Sequence, residues 1–248
     1  MITSKQNSLI KLVRSLSDKK FRDKEGLYLV EGYKMVKEAF LCNCCFYKII
    51  ATEKGLEQFK KNKKDFDNAL VEIVSDDIFN YISQENSPQG ILSIIKKPLN
   101  KMQAPQSSCI LLDGVSDPAN VGAIIRTAAA CGYNYIYATD VCADAYSPKS
   151  VRSSMSGVFR VNIITGNIDN ILSVINKPIV VADMQGENIF NAKVPNDICL
   201  VIGNEGNGVS KKVKDIAKYV VSIPMKNNVE SLNAAVSAGI LMYCLNKN

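Results

Sequence analysis

The sequence predicts an α/β protein of two domains, and three observations predict it. Apolar segments of strand length alternate with segments of helical period along the whole chain. The alternation breaks once, across 99–108, where Pro, Asn, Gln and Ser replace periodicity, and then restarts. Beyond the break the strand segments are almost continuously apolar, which is the pattern of a parallel sheet covered on both faces. A length of 248 residues suits two modest domains. The expected division is therefore a first domain at 1–98, a linker at 99–108 and a second domain at 109–248.

Taken in order, Asn7 to Leu16 reads as a helix, Leu27 to Val30 as a strand, Tyr33 to Leu41 as an amphipathic helix and Tyr47 to Ala51 as a strand. A helix from Gly55 to Lys64, a strand from Leu70 to Val74, a short helix from Asp77 to Ile82 and a strand from Ile91 to Lys96 complete the first α/β domain. In the second domain the strands are Cys109 to Leu112, Tyr135 to Ala138, Val161 to Ile164, Ile179 to Ala182, Ile198 to Ile202 and Val220 to Ile223. A last helix runs from Ser231 to Leu245, with Ser231 suited to cap it.

Composition excludes several chemistries. The chain has no histidine, which removes Ser-His-Asp and Cys-His nucleophile systems, H-E-x-x-H zinc sites and imidazole acid–base work. Its eight cysteines lack metal-clip spacing: Cys42, Cys44 and Cys45 are crowded, and Cys109, Cys131, Cys142, Cys199 and Cys244 stand alone among apolar residues. They read as buried free thiols in a reducing compartment, with no metal. Neither a targeting segment nor an apolar run of membrane-spanning length is present, so a cytoplasmic protein without a membrane is expected.

The net charge of +6 is concentrated at the front. Residues 1–101 hold 18 Lys and Arg against 13 Asp and Glu, whereas the remainder holds 12 against 11. Lys5, Lys11, Arg14, Lys19, Lys20, Arg22 and Lys24 crowd the first 25 residues and could track a phosphate backbone. A second cluster, Lys60, Lys61, Lys63 and Lys64, reads better as a solvated helix face.

Three segments of the second domain carry the candidate chemistry. In Leu112-Asp113-Gly114-Val115-Ser116-Asp117-Pro118-Ala119-Asn120-Val121-Gly122, a buried strand turns into a helix whose single charge is Arg126. A guanidinium there should meet a carboxylate or emerge at the carboxyl end of the sheet, where ligand sites of open α/β sheets gather. In Gly203-Asn204-Glu205-Gly206-Asn207-Gly208 the order is G-x-x-G-x-G. That is neither the dinucleotide fingerprint nor a P-loop, which disfavours a phosphate cradle, and Glu205 is placed to meet a cation. In Ile223-Pro224-Met225-Lys226-Asn227-Asn228, followed by Ser231-Leu232-Asn233, a strand ends in a polar loop before a helix lined by Ala, Ser and Gly. Three such strand-end loops point to one cleft.

In order and spacing these segments resemble the three motifs of the SpoU (TrmH) family of RNA ribose 2'-O-methyltransferases, in the SPOUT superfamily. Ser147 to Gly157 is similar to a family stretch between the first two motifs, and the first domain resembles the ribosomal-protein-like substrate-binding domain of rRNA-directed members at Glu31-Gly32 and Pro88-Gln89-Gly90. The resemblance implies a SPOUT-type parallel sheet with a deep trefoil knot, preceded by a small α/β RNA-binding domain. It also implies a homodimer, S-adenosylmethionine as cofactor, and RNA as partner, 23S or other rRNA being favoured and 2'-O-methylation of tRNA the alternative.

Carried over residue by residue, it places Arg126, Asn120, Glu205, Ser231 and Asn233 at the reaction centre. Gly203, Ile223, Leu232, Met225 and Gly208 would line the cofactor, and Arg14, Lys20, Arg22, Arg152 and Lys226 would contact RNA. A guanidinium is protonated at all ordinary pH, so Arg126 is expected to bind phosphate and stabilise a developing alkoxide while water or RNA phosphate takes the proton. Two other classes compete: a catalytically silent RNA-binding assembly factor, and a Rossmann-type nucleotide enzyme. Intact motif residues argue against the first and the glycine order against the second.

Overall fold

The computed structural model describes residues 1–62, 70–227 and 229–246. Lys63 and Lys64 of the second basic cluster and Asn228 lie outside them. The chain divides into two units, one of Met1–Pro98 with Tyr146–Arg152 and one of Leu99–Ala145 with Ser153–Asn248. The stretch read as a linker is built into the second unit. There the Asn100 Nδ2 donates to Thr165 O at 2.9 Å, the Tyr137 hydroxyl donates to Gln103 O at 2.7 Å, and Met102 packs on the core.

In the first unit α1 (Ser8–Ser15) and α2 (Lys19–Glu25) precede β1 (Leu27–Glu31), α3 (Tyr33–Leu41), β2 (Phe46–Ala51), α4 (Glu53–Asn62), β3 (Val71–Ile73), α5 (Asp76–Ile82) and β4 (Ile91–Lys96). The sheet order is β1-β4-β2-β3; β4 is antiparallel to both neighbours and β2 runs parallel to β3. Ile10 and Val13 of α1, Leu16 at its C-cap, and Ile78, Phe79 and Ile82 of α5 bury against Leu29, Ile50 and Leu92 of the sheet. Helix α2 was not foreseen, because it buries little apolar surface. Asp18 caps its start, Gly26 in the left-handed region ends it, and its buried residue is Arg22.

The second unit is a six-stranded, wholly parallel sheet in the order β10-β8-β9-β5-β6-β7. Its elements are β5 (Cys109–Asp113), α6 (Pro118–Ala130), β6 (Tyr135–Thr139), α7 (Pro148–Ser154, which begins in the first unit), a 3-10 helix (Met155–Phe159), β7 (Asn162–Gly166), α8 (Ile168–Val174), β8 (Ile179–Asn188), β9 (Cys199–Gly203), α9 (Lys211–Asp215), β10 (Tyr219–Ser222) and α10 (Ala234–Leu245). The central strands β5, β6 and β9 are buried along nearly their full length, as their apolar runs demand, and β8 is buried over its first three residues, Ile179 to Val181. From β5 the chain crosses to β6 on one side, while from β9 it crosses to β10 on the other. The adjacent pair β5 and β9 is therefore the topological switch point, and the crevice outside its carboxyl ends is where open α/β sheets bind ligands.

Two expectations are corrected here. The cap of the last helix is Asn233, not Ser231: its Oδ1 accepts from Ala235 N at 2.9 Å and Val236 N at 3.3 Å, and Ser231 lies exposed in irregular chain before it. Burial holds for Cys109, Cys131, Cys142 and Cys199, but Cys45 is exposed and Cys42, Cys44 and Cys244 are half-buried. Among the described residues no group of His, Cys, Asp or Glu could hold a metal ion, and no helix is long and apolar enough to cross a membrane.

Candidate active site

Helix α6 begins at the switch point, capped by the Asp117 side chain on Ala119 N with Pro118 in its first turn. Opposite it, β9 ends in a loop that folds back on itself: Asn204 N donates to Gly208 O at 3.0 Å and Gly208 N to Asn204 O at 2.9 Å. The reversal needs glycine twice. Gly208 has φ +68°, and a Cβ on Gly203 would stand 2.3 Å from the Gly208 carbonyl carbon, closer than any side chain tolerates. Two further bonds pin the loop to the end of β5. The Asn204 Nδ2 donates to Gly114 O at 2.8 Å, and Ser210 N donates to the buried Asp113 Oδ2 at 2.7 Å.

Glu205, at the tip of this loop, gathers the start of α6. Its Oε2 accepts from Ser116 N at 3.0 Å and the Ser116 hydroxyl at 2.8 Å, and its Oε1 from Asp117 N at 3.2 Å and the Asn120 Nδ2 at 2.9 Å. Partial burial alone would raise its pKa. Hydrogen bonds from Asn120, the Ser116 N–H, its own N–H and the Ser116 hydroxyl outweigh that, and hold it down at about 2. The carboxylate is thus ionised at neutral pH, beside the positive end of a helix.

The third loop joins through Asn233, whose Nδ2 donates to the Asn120 Oδ1 at 2.9 Å. The direction of this chain of amides is fixed from one end. Because the Asn233 Oδ1 already accepts two helix N–H groups, its Nδ2 must face Asn120, so the Asn120 amide must present oxygen to Asn233 and nitrogen to Glu205. An acceptor is required at the far end, and Glu205 is one. Residues from three strand-end segments, 85 and 113 positions apart in sequence, are held in one line.

Asn120, Glu205 and Asn233 of the predicted centre therefore come together, and Arg126 does not join them within the chain. Six residues beyond Asn120 on α6, it lies about 9 Å further along the axis and about 120° round it. It is exposed, and has no ion pair or hydrogen bond among the described residues, so the carboxylate partner that was one of its two expected outcomes is not found there. Of the predicted cofactor-lining residues, Ile223, Met225 and Leu232 lie in irregular chain, and their own backbone groups make no hydrogen bond among the described residues.

Sequence reasoning also missed the bulge of β8. The β8–β10 register jumps from Val181 opposite Val220 to Glu187 opposite Val221, so Ala182 to Gly186 loop out beside the end of β10. Gly186 packs on the Val220–Val221 backbone, and the Ser222 hydroxyl donates to Gly186 O at 2.8 Å. Its only sequence signal was a strand that turns polar halfway, at Asp183.

The proposed RNA contacts divide. Arg22 is corrected: it is 3% exposed, and its Nη1 donates to Leu16 O and Ser17 O, both at 2.8 Å, tying α1 to α2 rather than facing solvent. Arg152 belongs to the first unit, where its Nη1 donates to the Glu85 Oε1 at 2.8 Å. Lys20 and Lys226 are exposed, and Arg14 is exposed over the Tyr81 ring at 4.9 Å, with Lys5 over the same ring at 4.6 Å.

A parallel α/β sheet with a carboxylate and two amides linking three loops at its switch point, in a chain that also carries a separate small α/β unit, defines a two-domain protein with an enzyme-like catalytic domain. Residues 107–243 match the SpoU rRNA Methylase family, and residues 7–93 match the MRM3-like substrate binding domain. The chain belongs to the SpoU rRNA methylase family. It is 28% identical over 256 residues to the 23S rRNA (guanosine(2553)-2'-O)-methyltransferase RlmP of Bacillus subtilis, covering 98% of each chain. An AdoMet-bound rRNA methyltransferase from Sinorhizobium meliloti superposes with a TM-score of 0.86 at 26% identity, covering 99% of this chain and 97% of that one. A solved RNA 2'-O ribose methyltransferase gives a TM-score of 0.80 at 26% identity, covering 98% and 97%.

Proposed function

We propose that the protein transfers a methyl group from S-adenosylmethionine to a ribose 2'-hydroxyl of structured RNA, with rRNA as the substrate. The observation that carries this reading is the fixed line from Asn233 through Asn120 to an ionised Glu205, set at the switch point of the sheet. The residues fit the cofactor. A sulfonium without phosphate needs no phosphate cradle, and the unbonded backbone groups of Ile223, Met225 and Leu232 offer the donors and acceptors an adenine ring asks for, with Gly203 and Gly208 leaving room for the ligand. When bound, S-adenosylmethionine supplies an electrophilic methyl group. The chain's own part is to orient the sugar, exclude water and stabilise charge.

Arg126 binds the adjacent phosphate and stabilises the negative charge that develops on the 2'-oxygen, while water or the RNA phosphate takes the proton. Because it faces away from the amides of its own chain, it serves the site of a second copy, in a homodimer. The surface supports this: α10 is apolar all round, packs on α6, and still leaves Val236 50% and Tyr243 65% exposed. The family likeness brings with it the deep trefoil knot in the second sheet, with Ser231 beside the reacting sugar. Arg14, Lys20 and Lys226 contact RNA phosphate, and Arg152 does so by leaving Glu85. The protein works in the cytoplasm.

The test is the Arg126→Ala variant. It should bind S-adenosylmethionine with unchanged affinity by calorimetry and lose turnover on rRNA, and mixing it with Asn120→Ala should restore part of the activity. Equal loss of cofactor binding and turnover would overturn the role of Arg126. No restoration on mixing would overturn its action across copies.

A further inference from the structure

The 3-10 helix Met155–Phe159 meets α6 backbone to backbone, and the point of contact is Arg126. A Cβ on Gly157 would stand 2.8 Å from Arg126 Cα, 3.1 Å from Ile125 O and 3.2 Å from Arg126 N. All three are main-chain atoms of a regular helix, so none can swing aside as the end of a side chain would. Gly157 does not occupy the left-handed region, so its backbone torsion does not demand glycine. Space demands it. The approach to this contact is also constrained: Met155, the first residue of the 3-10 helix, has φ +49°, a conformation that costs a side chain energy and that surrounding structure must hold. Val158, buried at 3%, anchors the same turn, and Arg160 N closes it on Gly157 O at 2.9 Å.

Arg126 has no hydrogen bond or ion pair of its own among the described residues, so its direction is set by where α6 places its Cα. We propose that Gly157 is a positioning residue: by having no side chain, it lets the 3-10 helix seat directly on the α6 backbone at Arg126 and fix the path along which the guanidinium leaves the helix. This rests on the reading of Arg126 given above. An added methyl forces the 3-10 helix and α6 apart by several tenths of an ångström at that residue, while the line from Asn233 to Glu205 meets α6 six residues away, at Asn120. Turnover is then the property that suffers, since misplacement by about 1 Å can cost a hundredfold in rate.

The experiment uses the full chain with rRNA. Gly157→Ala should lower kcat about ten- to a hundredfold, with S-adenosylmethionine affinity within about twofold of the parent. Introduced into Arg126→Lys, it should lower kcat no further, although it lowers Tm by the same amount in both backgrounds, which a purely structural role would not produce. Val158→Ala, which loosens the same turn while leaving Gly157 in place, should likewise reduce kcat and spare cofactor binding, and it serves if Gly157→Ala does not fold. Wild-type kcat in either single variant, a matching loss of cofactor affinity, or an undiminished loss of kcat in the Arg126→Lys background overturns the proposal. If Arg126→Ala itself turns over normally, the reading of Arg126 fails first. If Arg126→Ala is inactive and Gly157→Ala is not, the positioning role alone fails.

Discussion

Replacing Glu205 by Gln keeps the shape of the side chain and removes one acceptor oxygen and the charge. Neither orientation of the new amide suits the site. With its NH2 in the place of Oε1 it confronts two donors, Asp117 N and the Asn120 Nδ2; in the place of Oε2 it confronts the Ser116 N–H. Asn120 cannot turn to help, because its oxygen is committed to Asn233. A hydrogen bond to a charged group contributes about 1.5–3 kcal/mol when shielded, but Glu205 is exposed and solvent screening removes much of that. A loss of about 1–2 kcal/mol near pH 7 is expected.

The pH dependence has a definite sign. The folded pKa of about 2 is below the ordinary 4.5, so between these values the unfolded chain holds the proton and the folded protein does not. The contribution is complete above 4.5 and is lost as pH falls toward 2. Urea unfolding of the parent and Glu205→Gln should give a constant gap from neutral pH down to the ordinary carboxylate range and a narrowing gap below it. A gap unchanged at about pH 3, or no gap near pH 7, would refute the assignment of four donors to an ionised carboxylate.

Arg22→Ala should cost about 1–3 kcal/mol of stability, because two carbonyls lose a charged donor, and leave RNA affinity unaltered in the folded protein. Arg14→Ala should do the reverse, weakening RNA binding and lowering the slope of log affinity against log salt by about one, as read by a salt titration. Gly203→Ala places a methyl group against the Gly208 carbonyl and opens the loop, so S-adenosylmethionine affinity by calorimetry should fall at least about tenfold, or 1.4 kcal/mol. An affinity equal to that of the parent would show that the closed loop does not shape the cofactor site.

The second sheet was legible in the sequence because its central strands are buried on both faces and so are written as apolar runs, such as those within Cys109–Asp113 and Cys199–Gly203. Helix α2 was not, because its stability comes from caps at Asp18 and Gly26 and from Arg22 bonding backbone carbonyls, none of which leaves a 3.6-residue apolar period. The same buried guanidinium misled the reading of charge, since a basic run in sequence does not say which of its members faces water. The bulge at Ala182–Gly186 was hidden for a related reason. Its cause is a register jump against β10, a long-range pairing with no local pattern.

The candidate site was legible as a set of residues but not as an arrangement, and helical geometry explains the difference. Asn120 and Arg126 belong to one short motif, and proximity in sequence suggests a shared target. On a helix of 3.6 residues per turn, six positions turn a side chain well away from its predecessor, so the motif must split. Its inner half, Asn120, is 7% exposed and locked between Asn233 and Glu205; its outer half, Arg126, is exposed and bound to nothing described. The inner half can be rigid because Asn233, as a helix cap, orders every amide after it. The outer half has no such anchor among the described residues, and what holds it is the helix backbone on which Gly157 rests. A single helix thus presents one preorganised group to its own loops and one projecting cation outward. That division is what a site completed by a second copy of the chain requires.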